Sequence, residues 1–182
     1  MHLGLRWRNR WNKEIKEWLY EKKRENLIFI TILLLIIILR VYFFSPIIVD
    51  GISMNPTLKH KDFMILNKNE HELSRFEVVV IDDKFNGTDY IKRIIGLPGE
   101  EIEYIDNKLY INGIFINEEF INEEIVTNDF KIRTIPNNCY FVLGDNRMNS
   151  EDSRSFGFVN KKYITGTTNI IVFPFSRMRI IN

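Results

Sequence analysis

The sequence predicts a mostly β, antiparallel fold behind one N-terminal transmembrane helix. An almost wholly apolar run occupies residues 27–44. After it, short apolar runs alternate with turn-forming residues, and no helical period is sustained beyond the N-terminal region. We therefore expect a basic cytoplasmic segment at 1–26, a membrane anchor at 27–44 and an extracytoplasmic β-rich domain at 45–182, large enough to hold one core.

Aromatic and basic residues alternate through the segment that precedes the apolar run. Trp7, Trp11, Ile15, Trp18 and Leu19 recur at helical spacing, with lysines, arginines and glutamates between them. This pattern is typical of an amphipathic helix that lies on a membrane surface. A solvated tail is the alternative, and the aromatic spacing favours the helix.

The apolar run at 27–44 is long enough to cross a bilayer. Eighteen residues at a rise of about 1.5 Å span about 27 Å, close to a hydrocarbon core of about 30 Å. Its one charged residue, Arg40, lies near the end, where the side chain can reach the headgroups. A cleaved secretory signal is the alternative, but such signals are shorter and end in small residues. The length of the run and the bulky residues 42–44 at its end favour an uncleaved anchor.

Charge asymmetry predicts the orientation of this anchor. Eight lysines and arginines precede the apolar run, and the first basic residue after it is Lys59. Positive charge is retained on the cytoplasmic side of membranes. We therefore expect a cytoplasmic N-terminus and an extracytoplasmic domain.

Turn signals divide the rest of the chain into strands. Asn112-Gly113 between two apolar runs predicts a β-hairpin, and residues 97–100 predict a tight turn. The polar stretch at 117–128 is expected to be a surface excursion. The remaining short apolar runs predict strands at 63–66, 76–81, 90–95, 140–143 and 168–175.

Composition argues against several classes of function. The net charge of +1 gives no sign of a nucleic-acid partner. The single cysteine, Cys139, allows no intramolecular disulfide and is interpreted as a buried small hydrophobe. The histidines lack zinc-ligand spacing, and no phosphate-binding glycine loop is present. A Ser-His-Asp triad through His60 or His71 stays open, although nothing in the sequence nominates it.

Ser53 lies on a segment whose backbone is constrained. Gly51 permits unusual backbone angles, and Pro56 restricts the chain just after the serine. A serine on such a turn suits a nucleophile, because nearby backbone N–H groups can face a developing oxyanion. An ordinary surface turn is the alternative.

Lys92 is placed on a partly apolar strand face. Alternation through the predicted strand at 90–95 puts Lys92 on one face with Tyr90 and Ile94. A lysine desolvated there has a lowered pKa, so its neutral amine can accept a proton from a serine. The alternative is a lysine that extends along a sheet edge to solvent.

The segment at 143–157 is dense in charged and small polar residues. It contains Asp145, Arg147, Asp152 and Arg154 among asparagines, serines and glycines. This composition is typical of an ion-paired loop that holds neighbouring groups. A solvated loop is the alternative, but apolar residues flank the segment on both sides.

Together the three segments resemble the motifs of the type I signal peptidase family. The residues at 53–58, Ser-Met-Asn-Pro-Thr-Leu, are similar to its nucleophile motif. Those at 90–99, Tyr-Ile-Lys-Arg-Ile-Ile-Gly-Leu-Pro-Gly, are similar to its lysine motif. Those at 144–154, Gly-Asp-Asn-Arg-Met-Asn-Ser-Glu-Asp-Ser-Arg, are similar to its third motif. The resemblance covers about 27–175, including the preceding anchor.

The resemblance implies a role for each matching residue. Ser53 corresponds to the nucleophile, Lys92 to its general base, and Ser150 to the serine that orients the lysine. The backbone N–H of Ser53 would form part of the oxyanion hole, and Gly51 stands where some members add a serine donor. The structural ion-pairing positions near the site correspond to Asp145, Arg147, Asp152 and Arg154.

The resemblance also implies an activity. The family removes signal peptides from exported preproteins beside the lipid bilayer, cleaves after small residues, and needs no metal or cofactor. A lysine at position 92 points to the bacterial type, and the short interval between Lys92 and Gly144 implies a small second β region.

Two other functions are compatible with the same residues. One is a Ser-Lys maturation peptidase dedicated to a single exported partner. The other is a membrane-tethered binding module without catalysis, against which the presence of Ser53, Lys92 and Ser150 argues.

Overall fold

The computed structural model describes residues 3–69, 71–83, 88–122 and 124–181, with side chains described outside 3–17, 39, 41, 83 and 88. The chain divides into two compact units, Met1–Phe43 and Phe44–Asn182. The predicted amphipathic positions Trp7, Trp11 and Ile15 lie outside the described side chains.

The first unit is a single helix, α1, which runs from Leu3 to Tyr42. After Gly4 no glycine or proline occurs before Pro46, so nothing interrupts the helical backbone. The predicted anchor at 27–44 falls mostly within α1, although two of its side chains, at 39 and 41, are not described. Among the described residues, no helix is apolar over the length that crossing a membrane requires.

The second unit is built of antiparallel strands, which confirms the predicted mostly β fold. Within the described residues, its larger sheet has nine strands: β1 (Phe44–Ile48), β2 (Phe63–Asn67), β3 (Val78–Asp83), β4 (Thr88–Gly96), β9 (Cys139–Leu143), β10 (Val159–Asn160), β11 (Ile164–Thr167), β12 (Ile170–Phe173) and β13 (Arg179–Ile180). Their order is β10-β9-β4-β3-β11-β2-β12-β13, with β1 also paired to β2. A four-residue helix, α2 (Ser153–Phe156), follows β9.

A smaller sheet lies between β4 and β9 in the sequence. Its order is β7-β6-β5-β8, from strands β5 (Ile102–Ile105), β6 (Lys108–Ile111), β7 (Ile114–Ile116) and β8 (Phe130–Ile132). Asn112 and Gly113 connect β6 to β7 with φ values of 51° and 80°. Positive φ at both positions is what a two-residue hairpin turn requires, so the predicted hairpin is confirmed.

Buried apolar residues form three clusters in the second unit. One cluster packs the segment around residue 53 onto the larger sheet through Val49, Met54 and Leu58. A second lies between β3, β4 and β9. The third joins the smaller sheet to the larger and contains Ile95, Ile102, Tyr104, Leu109, Ile111, Ile135, Phe141 and Leu143.

Most described residues of the polar stretch at 117–128 are exposed, as expected of a surface excursion, but part of the stretch faces the core. Phe120 and Thr127 point inward, and Thr127 is buried. The guanidinium of Arg93 lies 3.9 Å from the centre of the Phe120 ring. The physical reason is that buried arginines of the larger sheet and its loops need partners, and this polar stretch supplies them.

Candidate active site

The turn that carries Ser53 is held by its own backbone and by the core. Val49 donates its N–H to Asp62 O at 2.9 Å, and Lys61 donates to Val49 O at 2.8 Å. Met54 and Leu58, on either side of Pro56, are buried at 2% and 0% exposure. Gly51 has a φ of 97°, a conformation that side-chain-bearing residues rarely adopt. The turn therefore has a defined shape, whereas Ser53 itself stays partly exposed.

Lys92 and Ser53 are brought into direct contact. Lys92 Nζ donates a hydrogen bond to Ser53 Oγ at 2.8 Å. Lys92 lies in β4, where its Cα pairs with that of Val79 in β3, and it is only 2% exposed. The Tyr90 ring, two residues earlier on the same face, lies 5.5 Å from Nζ. Strand alternation thus turns the lysine inward against the turn that carries Ser53.

Burial changes the protonation of this lysine. Loss of solvent lowers the pKa of Lys92 from 10.5 to about 8, and the nearby charges of Asp152, Glu151 and Asp145 oppose that shift. With a pKa of about 8, roughly a tenth of the amine is neutral at pH 7. A neutral amine in contact with a hydroxyl can act as its base.

The segment after β9 holds the backbone on both sides of the Ser53 side chain. Asn146 donates its N–H to Ser53 O at 2.9 Å and its side-chain amide to Ile52 O at 3.1 Å. Gly144 packs so closely that a Cβ there would overlap Ser53 O and the side chain of Ser150. Glycine at this position lets the two segments approach each other.

Two of the predicted ion-pairing residues, Asp145 and Asp152, lie near opposite ends of this segment. Each has an arginine as its partner. Asp145 accepts two hydrogen bonds from Arg93, at 3.0 and 2.9 Å, and both side chains are buried. Asp152 pairs with Arg154 at 2.8 Å and also accepts the Gly144 N–H at 3.1 Å. Burial raises the pKa of Asp152, but the Arg154 and Gly144 hydrogen bonds outweigh it and hold that pKa below its ordinary value.

Arg147 pairs outside the segment. Its side chain is fully buried, and Nη2 donates to Glu118 Oε1 at 2.6 Å. Glu118 belongs to the stretch at 117–128. All four predicted ion-pairing residues are thus bonded, and two of their partners, Arg93 and Glu118, were not nominated from the sequence.

Ser150 lies in the site without a hydrogen bond. Its Oγ is buried and has no hydrogen-bond partner among the described residues. The hydroxyl helps to lower the pKa of Asp152, but no hydrogen bond of normal geometry joins them. Its assignment as the residue that orients Lys92 stays a prediction.

The histidines make other contacts. His60 Nδ1 accepts the Gly51 N–H at 3.3 Å and lies 3.2 Å from Asp50 Oδ1. His71 contacts Glu77 at 3.2 Å. The described hydrogen bond to Ser53 Oγ comes from Lys92. Among the described residues, no cluster of His, Cys, Asp and Glu is suited to a metal ion.

The C-terminal segment also reaches the turn that carries Ser53. Arg177 donates to both carboxylate oxygens of Asp62, at 2.9 and 2.8 Å. Arg177 and Arg179 both donate to Thr57 O, at 3.4 and 3.0 Å. These contacts were missed from the sequence. The signal available was an aspartate at 62 directly before an apolar strand, where burial demands a cation.

Comparison with known proteins finds a family model and several relatives that match this chain. The family model described as signal peptidase, peptidase S26, matches residues 20–173. Signal peptidase I S of Bacillus subtilis (strain 168) is 39% identical over 164 residues, covering 81% of this chain and 87% of its own. Signal peptidase I of Bacillus licheniformis is 36% identical over 158 residues, covering 80% and 85%.

A solved structure of a signal peptidase I from Enterococcus faecalis V583 is also similar. It shares 37% sequence identity with a TM-score of 0.49, and the match covers 54% of this chain and 98% of that chain.

Proposed function

Since the chain belongs to the bacterial type I signal peptidases of the peptidase S26 family, we propose that Ser53 is its nucleophile and Lys92 its general base. Its activity is that of a signal peptidase I, a serine endopeptidase that removes signal peptides from exported preproteins. The observation that carries the proposal is the 2.8 Å hydrogen bond between Lys92 Nζ and Ser53 Oγ.

The proposed reaction has two steps. Neutral Lys92 takes the proton of Ser53 Oγ as that oxygen attacks the scissile carbonyl, and the resulting ammonium then protonates the leaving amine. A water molecule, deprotonated by the again neutral Lys92, attacks the ester, and the ammonium so formed returns its proton to Ser53 Oγ as the signal peptide is released. No metal or cofactor enters either step.

The oxyanion is assigned to backbone donors. We assign one donor to the Ser53 N–H, because the turn that carries it is held on both sides by hydrogen bonds and buried side chains. Gly51 contributes no side-chain donor. Asp145, Arg147, Asp152 and Arg154 are assigned the structural role that their ion pairs support, and Ser150 the orientation of Lys92 during the reaction.

The lipid bilayer is proposed as a second partner. The apolar run at 27–44 supports a single-pass anchor with a cytoplasmic N-terminus and an extracytoplasmic catalytic domain. Ile48 in β1 and Phe173 in β12 both pair with Phe63 in β2, which puts them on one face of the sheet. They are 62% and 53% exposed, and Phe175 beside Phe173 is 76% exposed. An exposed apolar sheet face of this kind supports contact with a membrane surface.

The catalytic assignment is tested with two substitutions. Ser53→Ala and Lys92→Ala should each reduce cleavage of a purified preprotein by at least about 10³-fold, because nucleophile and base act as one unit. The exposed residues Ser155 and Lys108 provide matched controls, and Ser155→Ala and Lys108→Ala should keep wild-type rates. Normal cleavage by a folded Ser53→Ala or Lys92→Ala variant would exclude the assignment.

The same cleavage assay distinguishes a signal peptidase from the two alternative functions, a dedicated maturation peptidase and a binding module. A peptidase dedicated to one partner would cleave a single preprotein in a panel of unrelated ones, and a binding module would cleave none. The similarity to several signal peptidases favours cleavage of many.

A further inference from the structure

Arg147 belongs to the same segment as Ser150, and its positive charge is buried. Its side chain is 0% exposed, and the guanidinium is enclosed by residues of the smaller sheet and its connection. Nη1 donates to Tyr104 Oη at 2.7 Å and to Thr127 Oγ1 at 3.0 Å, and Nε donates to Gly144 O at 3.1 Å. A buried guanidinium is tolerated only when hydrogen bonds and an opposite charge compensate for its lost hydration.

Glu118 supplies the opposite charge. Its carboxylate is 9% exposed and accepts the Arg147 Nη2 hydrogen bond at 2.6 Å, with a second, longer contact from Nη1 at 3.4 Å. The Tyr104 hydroxyl donates to the other carboxylate oxygen at 2.8 Å, so Tyr104 bridges both charged groups. A residue of the polar connection between β7 and β8 therefore neutralises a cation next to the proposed active site.

Arg147 directly follows Asn146, one of the residues that hold the backbone around Ser53. Asn146 bonds the carbonyls of Ser53 and Ile52, and Gly144, whose carbonyl Arg147 bonds, packs directly on Ser53 O. If Arg147 lost its counter-charge, it would move toward solvent and take this segment with it. The Ser53 backbone would then lose the hydrogen bond that fixes its distance from Lys92.

We infer that Glu118 is a positioning residue for the peptidase reaction, which through Arg147 keeps Gly144 and Asn146 against the Ser53 backbone. This inference rests on the roles proposed for Ser53 and Lys92. It assigns the connection at 117–128, which the sequence presents as a polar surface stretch, to the machinery that aligns nucleophile and base.

The test compares Glu118→Gln with Glu119→Gln in the full-length protein. Glu119 is the adjacent, exposed carboxylate and provides the matched control. With a preprotein substrate, Glu118→Gln should lower kcat by about 10- to 100-fold, the range expected when a distant change misplaces reacting groups. KM should stay within about twofold, because no binding contact is removed. Glu119→Gln should match the wild type in both.

A pH profile provides a readout that loss of stability alone would not change. Lys92 faces the Tyr90 ring, Ser53 and the charges of Asp145, Glu151 and Asp152. When the segment that carries these charges loosens, departure of the carboxylates lowers the pKa of Lys92, but water also reaches Nζ. Desolvation is the largest influence on this pKa, so its loss outweighs the other effect and the charged form is favoured again. The acidic limb of the kcat profile should therefore move to higher pH in Glu118→Gln and stay in place in Glu119→Gln.

Folding is checked by circular dichroism and thermal unfolding, and Tyr104→Phe serves as the second variant if Glu118→Gln does not fold. Tyr104→Phe removes only the bridging hydroxyl and should lower kcat by about 3- to 10-fold, equivalent to about 1 kcal/mol. The inference is overturned if a folded Glu118→Gln, or in its place Tyr104→Phe, has a kcat and pH profile like the wild type. If Ser53→Ala or Lys92→Ala remains active, the proposed catalytic roles fail instead.

Discussion

At the residue scale, one desolvated lysine accounts for the proposed chemistry. Lys92 is 2% exposed, touches Ser53 Oγ, and has a pKa of about 8. A lysine with its ordinary pKa would be almost wholly charged at neutral pH and could not accept the serine proton. Burial therefore sets the pH at which this site can act.

The pH dependence of cleavage follows from that pKa. The proposed reaction needs neutral Lys92, so kcat/KM should rise through pH 8 and fall about tenfold for each pH unit below about 7. Measurement of kcat/KM on a soluble peptide substrate between pH 5 and pH 10 tests the direction. Return of samples from pH 5 to pH 9 controls for unfolding. An activity that is unchanged from pH 9 to pH 5 would contradict a lysine base.

At the element scale, the turn that carries Ser53 is held from two sides. Asn146 bonds it from the segment after β9, and the C-terminal segment bonds it through Arg177, Asp62 and Thr57. Asp62 is 2% exposed, and its charge is stabilised by the bidentate contact with Arg177 together with the Lys59 N–H at 2.8 Å. The turn is thus part of a network that extends to the last strand.

Removal of the Arg177 cation should destabilise the fold at this point. Arg177→Met leaves the Asp62 carboxylate without its guanidinium, and the free energy of unfolding should fall by about 2 kcal/mol. Urea denaturation with an unchanged m-value measures this loss. Arg133 is exposed directly after β8 of the smaller sheet and provides the control. Arg133→Met should change the free energy of unfolding by less than about 0.5 kcal/mol. Equal stability of both variants would show that the Asp62–Arg177 contact carries no net stabilisation.

At the scale of the whole molecule, the two sheets have different surfaces. The larger sheet exposes Ile48 and Phe173 on one face, with Phe175 just beyond the strand beside Phe173, whereas the hairpin of the smaller sheet exposes Ile114 and Phe115 at its own tip. Membrane contact is proposed for the first of these surfaces only, and the second therefore serves as a control of similar hydrophobicity.

Substitution of the apolar face should separate membrane substrates from soluble ones. In lipid vesicles, the double variant Phe173→Ser and Phe175→Ser should cleave an inserted preprotein about tenfold more slowly, because partial burial of two phenylalanines contributes about 1–2 kcal/mol. Its cleavage of a soluble peptide should stay within about twofold of wild type. The double variant Ile114→Ser and Phe115→Ser should be normal in both assays. Equal rates in vesicles for all three proteins would remove the support for docking through this face.

Much of the fold could be predicted because its signals are local. The turn at Asn112-Gly113 was predictable since positive φ favours asparagine and glycine, and the inward face of Lys92 was predictable from strand alternation. The environment of the stretch at 117–128 was not predictable. Its polar composition suits contact with water and contact with buried arginines equally well, so the sequence does not distinguish the two. Glu118 and its neighbour Glu119 look alike in the sequence, yet one is nearly buried and the other exposed.

The β-rich fold class, the family resemblance and the three segments proposed to carry chemistry can all be read from local sequence, because strand alternation, turn residues and ordered motifs are properties of neighbouring positions. The folded structure was needed to pair Arg93 with Asp145, 52 residues apart, and Arg147 with Glu118, 29 apart. For Lys92 and Ser53, 39 residues apart, the family resemblance had predicted the pair, and the structure added their direct contact. Such pairs depend on the register of strands and the packing of two sheets. Charge alone cannot select them, because many carboxylates in this chain could satisfy any one arginine.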